Sequence, residues 1–433
     1  MMLVPSRLAA DDWPQWRGPD RNGISGETGW MNGWAQGSAP KVAWRAAVGK
    51  GHSAVSVRGG RAFTMGWDGE HDSVFCFDAV TGRLNWKQSY PCTTILQWPG
   101  PRATPTVHGN TVFTLGQHGQ LRAWDTRTGQ PRWQRDLPED YNPDVDYGFA
   151  WSPLVEPAGE KGDGSLLPER PEGCFAQKTP VPFFRADDSD GDLLILNAGS
   201  RGLAIRARDG SIAWGDDRKK GACVSAVPFT HDGRRCVLIV NVNEDRSAVN
   251  LVGIEPRTGR ELWRWNGWKE QWGAMGVDPV VHEGRVFLTS AQEYRQAARF
   301  TITGDTLRQD WSTNRVAGYT GSAVLLGGHL YMVDSNGILK CIDWNTGKER
   351  WAQRGFDERG TLTAADGKLI IQTGASGKLV IAAADPAGYR ELRQAKVFDG
   401  APETFTVPVL ANGRVYCRSY AGELVCLDLS REK

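Results

Sequence analysis

One unit recurs along this chain of 433 residues, and its spacing limits the folds that the chain can adopt. In each full copy an acidic residue precedes a tryptophan by eight positions, and a glycine precedes the same tryptophan by four. The four copies are Asp78, Gly82 and Trp86; Asp125, Gly129 and Trp133; Glu255, Gly259 and Trp263; and Asp343, Gly347 and Trp351. Repeats of roughly forty residues are typical of propellers and solenoids, so the repeat restricts the architecture to stacked or radially arranged units.

Each copy has the pattern of a strand, a turn and a second strand. The residues before the acid are mostly apolar, as in 121–124 and 339–342. The acid and the threonine suit a turn because their oxygens can accept hydrogen bonds from nearby backbone N–H groups, and glycine adopts a positive φ at little cost. A second hairpin precedes this pair, as at 104–113. Four short strands in each unit make one blade of a propeller.

The number of blades follows from the outermost strands. Their marker residues are Trp44, Trp86, Trp133, Trp214, Trp263, Trp311, Trp351 and, without tryptophan, Leu392. The last unit, 407–429, contains only three strands, and the unmatched strand at 42–46 supplies the fourth. We therefore predict an all-β, eight-bladed β-propeller of four-stranded antiparallel blades, with the ring closed by an N-terminal strand. We interpret the tryptophans as structural, wedged between neighbouring blades.

The rest of the chain divides around this ring. We expect a residual signal or disordered segment at 1–12, an N-terminal strap at 13–41, and the propeller at 42–430 with an insertion at about 157–186. The strap opens with Trp13-Pro-Gln-Trp-Arg-Gly-Pro-Asp-Arg-Asn-Gly23, whose aromatic rings and prolines suit the covering of one face of the ring. A role in ligand binding is the alternative.

Composition excludes several partners and sites. The 51 basic and 50 acidic residues give a net charge of +1, which argues against nucleic acid as a partner. No stretch approaches the roughly twenty apolar residues of a membrane helix. The segment Leu8-Ala-Ala10 resembles the end of an export signal, so we predict a periplasmic or otherwise exported protein whose signal is truncated. We also expect a monomer.

The cysteines argue against a metal site. The eight cysteines show no zinc spacing, so we predict no metal. Cys76, Cys341 and Cys426 occupy the same repeat position and are predicted to be small core residues. A disulfide between Cys417 and Cys426 is an alternative that the sequence does not decide. The acidic run 187–192 fits a polar turn better than a calcium loop.

Candidate ligand-binding residues lie in the loops that lead into the innermost strands. Such loops line the central funnel of a propeller, and here they carry His52, Arg102, Trp151, Trp272, Met275 and Tyr319. Trp151 and Trp272 could stack a flat ligand and Arg102 could hold a carboxylate, which suits a planar anionic cofactor or a sugar. The alternative is that each residue packs at a blade entrance. The sequence contains no HExxH, GxSxG or P-loop pattern.

The skeleton Ala123-x-Asp125-x-x-Thr128-Gly129-x-x-x-Trp133 resembles the tryptophan-docking motif of pyrroloquinoline quinone propellers, the fold of quinoprotein alcohol and glucose dehydrogenases. The resemblance covers about 42–429, and the same motif occurs in the noncatalytic lipoprotein of the outer-membrane β-barrel assembly machinery. The opening Trp13-Pro-Gln-Trp-Arg-Gly-Pro19 resembles exported propellers of planctomycete-type bacteria. The resemblance implies a quinone held with calcium, but this chain lacks the adjacent cysteines, the matched calcium ligands and the long insertions of those enzymes.

These departures favour one functional hypothesis over another. We expect a noncatalytic, exported propeller that binds a protein or glycan partner through its funnel face, with no cofactor. The alternative is a dehydrogenase that uses pyrroloquinoline quinone with calcium to oxidise an alcohol or sugar.

Overall fold

The computed structural model describes residues 11–93, 96–141, 147–158, 191–243, 247–269, 276–290, 294–400 and 402–430. Within these ranges the chain forms 33 strands and two short 3-10 helices, at Trp30–Gly33 and Glu139–Tyr141. None of the helices in these ranges is long and apolar enough to cross a membrane. The strands form eight four-stranded blades around a central channel, as the repeat predicts.

The strands follow one another along the chain, with the innermost strand first in each blade. Two strands precede the blades, β1 (Ile24–Ser25) and β2 (Lys41–Ala47). Blade 1 contains β3 (Ser56–Arg58), β4 (Arg61–Trp67), β5 (His71–Asp78) and β6 (Leu84–Pro91). Blade 2 contains β7 (Thr106–His108), β8 (Thr111–Leu115), β9 (Gln120–Asp125) and β10 (Pro131–Asp136). Blade 3 contains β11 (Leu154–Glu156), β12 (Leu193–Leu196), β13 (Leu203–Arg206) and β14 (Ile212–Trp214). Blade 4 contains β15 (Val227–His231), β16 (Arg234–Val242), β17 (Ala248–Glu255) and β18 (Arg260–Lys269).

The second half of the ring repeats this order. Blade 5 contains β19 (Val280–His282), β20 (Arg285–Ser290), β21 (Gln296–Thr303) and β22 (Thr306–Thr313). Blade 6 contains β23 (Val324–Leu326), β24 (His329–Val333), β25 (Ile338–Asp343) and β26 (Glu349–Arg354). Blade 7 contains β27 (Thr361–Ala365), β28 (Lys368–Gln372), β29 (Lys378–Ala383) and β30 (Glu391–Lys396). Blade 8 contains β31 (Val409–Ala411), β32 (Arg414–Arg418) and β33 (Glu423–Asp428).

The N-terminal strand β2 completes blade 8, which confirms the predicted closure. It pairs antiparallel with β33, and Trp44 lies opposite Cys426. The outermost strand of the last blade therefore comes from the beginning of the chain, and no edge of β33 is left unpaired.

Five of the marker tryptophans donate a hydrogen bond to the turn of the next blade. The indole N–H of Trp86 in blade 1 donates to the Thr126 carbonyl of blade 2 at 3.1 Å, and its ring lies against Gly129. Four other tryptophans donate in the same way: Trp44 to Ala79, Trp133 to Ala207, Trp311 to Trp344 and Trp351 to Asp385. The tryptophans thus join neighbouring blades.

The acid of each repeat organises the turn that receives the tryptophan. Asp125 Oδ1 accepts hydrogen bonds from the backbone N–H groups of Arg127 and Thr128 and from the Thr128 hydroxyl, all at about 3 Å. Asp78 and Asp343 likewise accept hydrogen bonds from the backbone N–H and the hydroxyl of the threonine in their own turns. Burial alone would raise the pKa of Asp125, but hydrogen bonds from Arg132, Thr128 and Arg127 outweigh it and lower that pKa to about 2.

A belt of hydrogen bonds joins successive blades around the channel. In each step a backbone N–H of one blade donates to a side-chain oxygen of the next, at 2.9–3.1 Å. The steps are Ala54 to Thr104, Thr104 to Ser152, Ser152 to Ser225, Ser225 to Asp278 and Asp278 to Ser322. The belt fixes the inner strands of blades 1 to 6 at a common level.

Six of the described cysteines are buried, and Cys223 is partly exposed. Cys76, Cys341 and Cys426 are fully buried, as their shared repeat position predicts. Cys417 pairs in register with Val425, and Cys426 pairs with Tyr416. Adjacent strand positions point to opposite faces, so Cys417 and Cys426 do not form a disulfide, and both are free thiols.

Candidate functional site

The N-terminal segment closes one end of the channel. Trp13 exchanges backbone hydrogen bonds with Val57 of blade 1, and the Pro14 carbonyl accepts from Val107 of blade 2. The segment then crosses the channel, and β1 pairs parallel with β27 of blade 7. Asp12, at the end of the segment 1–12 that we expected to be a residual signal or disordered, accepts hydrogen bonds from Gly59 N and Asn412 Nδ2.

Two buried arginines hold this segment inside the ring. Arg21 donates to the carbonyls of Ser152, Pro153 and Ala226, on blades 3 and 4. Arg17 donates to the Ala323 carbonyl of blade 6 at 2.7 Å. Burial lowers the pKa of Arg21 to about 9, an effect that Asp278 partly opposes.

Two further contacts complete the crossing. The Trp16 indole N–H donates to Asp278 Oδ2 at 2.5 Å, on the loop that enters blade 5. The Glu27 carboxylate accepts from the backbone N–H groups of Asn412 and Gly413 on blade 8. Residues 13–27 therefore contact all eight blades, which gives a physical reason for the unusual Trp-Pro-Gln-Trp-Arg-Gly-Pro sequence.

The channel above this segment is a cavity of about 240 Å³ with its floor at Trp16, which we call the cup. The residue two positions before each belt residue lines the cup in blades 1 to 6, and its counterparts in blades 7 and 8 are Arg359 and Phe405. The eight are His52, Arg102, Ala150, Cys223, Gly276, Thr320, Arg359 and Phe405. Each blade thus places one residue at the equivalent position of the wall, and the residue types differ, from glycine in blade 5 to arginine in blades 2 and 7.

Aromatic rings and cations gather on one side of the cup. The guanidinium of Arg359 lies over the rings of Phe405 and Trp98, 4.7 and 5.2 Å from their centroids. Arg102 lies 5.7 Å from the Tyr147 ring centroid and donates to the Trp98 carbonyl at 2.8 Å. Asp278 on the floor is the carboxylate within the described lining, so cations predominate in that part of the wall.

His52 lies in the centre of this cluster. Its ring contacts Phe405 and Tyr420, with centroid distances of 4.7 and 4.8 Å. Its Nε2 atom is buried and has no hydrogen-bond partner among the described residues. Burial, followed by the charges of Arg102, Arg418 and Arg359, holds the pKa of His52 well below its usual value. The imidazole is therefore neutral near pH 7.

A buried arginine lies behind His52. Arg418 is 1% exposed and donates to the carbonyls of Ser53 and Gly49 and to the Thr64 hydroxyl. These acceptors are neutral, and no carboxylate among the described residues forms an ion pair with it. Burial lowers the pKa of Arg418 to about 9. The guanidinium adds positive potential behind the cup because the low-dielectric interior screens it weakly.

Only some of the ligand-binding residues predicted from the sequence lie together in the cup. His52, Arg102 and Tyr319 line the cup. Trp151 does not: its side chain is fully buried and its indole N–H donates to the Ala222 carbonyl at 2.6 Å, whereas its neighbours Ala150 and Ser152 face the channel. Strand-like alternation turns its ring into the apolar cluster between blades 2 and 3. Trp272 and Met275 lie outside the described residues, as does most of the predicted insertion.

Sequence reasoning missed Trp16, Trp98, Arg359 and Phe405. Trp98 lies on a connection that the repeat does not cover. Arg359 and Phe405 could have been found, because they occupy in blades 7 and 8 the position that His52 and Arg102 occupy in blades 1 and 2.

The described residues do not fit a quinone held with calcium. Such a cofactor needs carboxylate and amide oxygens that converge on one cation. In the cup, Asp278 uses Oδ2 to accept from Trp16 and Oδ1 to accept from the Ser225 N–H. No group of three or more His, Cys, Asp or Glu side chains in the described part of the chain could hold a metal ion.

Comparison with known proteins agrees with this architecture. A family model described as outer membrane protein assembly factor BamB matches residues 21–143 and 174–353. BamB of Yersinia pestis is 25% identical over 330 residues, which cover 62% of this chain and 81% of that protein. A crystal structure of BamB from Moraxella catarrhalis has a TM-score of 0.60 at 15% identity and covers 92% of this chain and 99% of its own. A europium-containing methanol dehydrogenase has a TM-score of 0.60 at 12% identity, covering 94% and 89%.

The repeat, the eight blades and the tryptophan docking define a propeller of the pyrroloquinoline quinone-like class. The two solved structures share its fold, and at 15% and 12% sequence identity they support a statement about the fold alone. Within that class, the chain belongs to the family of the outer membrane protein assembly factor BamB.

Proposed function

We propose that this chain is a noncatalytic, exported propeller that binds a protein partner through the open mouth of the cup. The observation that carries the proposal is the cup itself, with a floor at Trp16 and a wall that holds Trp98, Arg102, Arg359 and Phe405. Aromatic and arginine side chains are the types that contribute most to protein interfaces. The relative from Yersinia pestis is named as an outer membrane protein assembly factor, which supports a binding role and an envelope location for this chain.

The alternative of a quinone-dependent dehydrogenase has weaker support. The solved dehydrogenase resembles this chain in fold, but the described lining of the cup does not supply the converging oxygen ligands that a quinone with calcium needs. A glycan partner would use the same aromatic rings, and it remains an outcome that the experiment separates from a protein.

Site-specific photo-crosslinking tests the proposed function. We expect p-benzoylphenylalanine at Tyr319, in the cup, to capture a specific protein of the cell envelope in vivo. The same crosslinker at Arg127, an exposed residue on the outer rim, serves as the matched control. A crosslink from the rim but none from the cup would contradict a binding role of the mouth.

A second measurement addresses the dehydrogenase. We expect purified protein mixed with pyrroloquinoline quinone and calcium to gain no quinone absorbance and to reduce no artificial electron acceptor with alcohols or sugars. Reduction that depends on such a substrate would replace the binding proposal with the enzymatic one.

A further inference from the structure

Among its described lining residues, the cup contains more cationic than anionic side chains, and one guanidinium donor there has no partner. Arg102, Arg359 and His52 line it, and Arg418 lies behind it without a carboxylate partner among the described residues. Glu403 pairs with Arg359 through Nη1 at 3.1 Å, but the Nε of that arginine is buried and unpartnered. Buried donors without partners cost free energy unless a ligand satisfies them. The site therefore has the features of an anion site.

The size and walls of the cup restrict what the anion can be attached to. Pockets that enclose whole small-molecule ligands usually measure about 300 to 1,000 Å³, and the cup, at about 240 Å³, is smaller. The cup is closed at one end, where Trp16 forms its floor, and open at the other end, the mouth. This shape accepts one or two side chains of a segment that continues outside. The rings of Trp98, Tyr147 and Phe405 provide flat apolar contacts beside the cations.

We infer that the cup binds an acidic side chain, flanked by an aromatic residue, on an exposed segment of the protein partner. The carboxylate lies among Arg102, Arg359 and the Nε2 atom of His52, and the aromatic side chain packs against Trp98 and Phe405. This inference rests on the proposed function and specifies the chemistry of the partner at the same site.

His52 couples this binding to pH. The charged or titratable groups that face His52 are Arg102, Arg359, Arg418 and Tyr420, and Glu403 lies on the far side of Arg359. In the free protein the three arginines and burial keep the imidazole neutral. A bound carboxylate would offset the arginine charges and favour the imidazolium, which could then donate from Nε2. Binding takes up a proton, so affinity rises as the pH falls.

Capped dipeptides test the inference on the full chain. The probes are acetyl-Phe-Glu-amide, acetyl-Phe-Gln-amide and free benzoate, with binding measured by calorimetry. We expect the Glu peptide to bind at least about tenfold more tightly than the Gln peptide, because a charge-assisted hydrogen bond is about twice as strong as a neutral one. Equal binding of the two peptides, or benzoate binding as tight as the Glu peptide, would overturn the inference.

Variants locate the binding. Arg359→Gln and Arg102→Gln should each weaken the Glu peptide by about tenfold or more, whereas the rim variant Arg127→Gln should leave its affinity unchanged. His52→Asn should remove the increase in affinity of the native protein between about pH 8 and about pH 5.5. This pH profile gives a readout even where an arginine variant folds poorly, and a flat profile in the native protein would overturn the role of His52.

The outcomes separate this inference from the proposed function. If Tyr319 crosslinks to an envelope protein but the Glu peptide does not bind, the proposed binding function is supported. The inference that the cup binds an acidic segment is then wrong. The absence of a crosslink together with tight binding of the Glu peptide would retain the anion site and reject the protein partner as its source.

Discussion

At the scale of single residues, the repeat glycines allow the tryptophans to dock. Gly129 has a φ of +72°, and a Cβ atom built on it would lie 2.7 Å from the Trp86 ring. Gly82 and Gly347 meet Trp44 and Trp311 in the same way, at 2.5 Å. A glycine is therefore needed at these positions for two reasons, the left-handed backbone and the space that the indole fills.

Two glycine variants separate these reasons. Gly109 also has a positive φ, +53°, but its Cβ would meet nothing within 4 Å. We expect Gly109→Ala to lower the free energy of unfolding by about 1 kcal/mol, the cost of the left-handed conformation. Gly129→Ala should lose about 1–3 kcal/mol more, because the indole must move. Urea denaturation of both variants measures the difference, and equal losses would show that the contact with Trp86 contributes nothing.

The repeat residues were readable in the sequence because one physical task recurs at a fixed spacing. Asp125 bonds its turn, Gly129 leaves room for the Trp86 ring, and Trp133 donates to the next blade. The cup residues have no such shared task. Trp151 was placed in the cup by its loop position, but the direction of its side chain depends on a local register that one sequence does not reveal.

At the scale of elements, the N-terminal segment acts as a brace across the channel. Its two arginines satisfy backbone carbonyls on three different blades, and Trp16 bonds the loop that enters a fourth. Carbonyl groups at the inner ends of these strands would otherwise face the channel. The brace thus completes the hydrogen bonding of the ring and at the same time forms the floor of the cup.

Arg21→Met tests the brace. The substitution keeps most of the apolar volume but removes the donors to Ser152, Pro153 and Ala226, so we expect a loss of about 2 kcal/mol or more in stability. Asp20→Ala, an exposed neighbour in the same segment, should change stability by less than about 0.5 kcal/mol. Thermal unfolding compares the two, and an Arg21→Met protein as stable as the control would mean that water replaces the guanidinium without cost.

At the scale of the whole molecule, the core is a ring of apolar clusters between adjacent blades. One cluster joins blade 4 to blade 5 through residues such as Leu251, Trp263 and Phe300. Another joins blade 8 to blade 1 through Trp44, Phe75 and other residues. Because each blade contributes to clusters on both sides, the stability of any blade depends on both of its neighbours.

Closure should make the ring one cooperative unit. Trp44→Ala, at the closing junction, removes a ring that contacts Phe77 and Tyr416, and we expect a loss of about 3–5 kcal/mol. In hydrogen-exchange measurements, the backbone amides of blade 4, on the far side of the ring, should lose as much protection as those of blades 8 and 1. Trp214→Ala, at the junction of blades 3 and 4, should give the same uniform pattern. A loss confined to the mutated junction would contradict cooperativity.

The architecture was predictable to the level of blade count and closing strand, whereas the cup was predictable only in part. Blade number follows from periodicity, and the pairing of β2 follows from the missing fourth strand of blade 8. The cluster around His52 depends on which loop side chains of neighbouring blades meet, from residues 52, 98, 359 and 405, which are far apart in the sequence. A single sequence does not specify such distant contacts.

The closure by β2 has a consequence for the order in which the ring can form during synthesis. The strand at Lys41–Ala47 is synthesised before blades 1 to 7, whereas its partner Glu423–Asp428 is synthesised after them. This strand must therefore wait unpaired while the blades between it and β33 are made. A nascent chain arrested short of β33 would leave β2 and the edge of β32 without a partner, so the synthesis of Glu423–Asp428 is the step that closes the ring and removes these exposed edges.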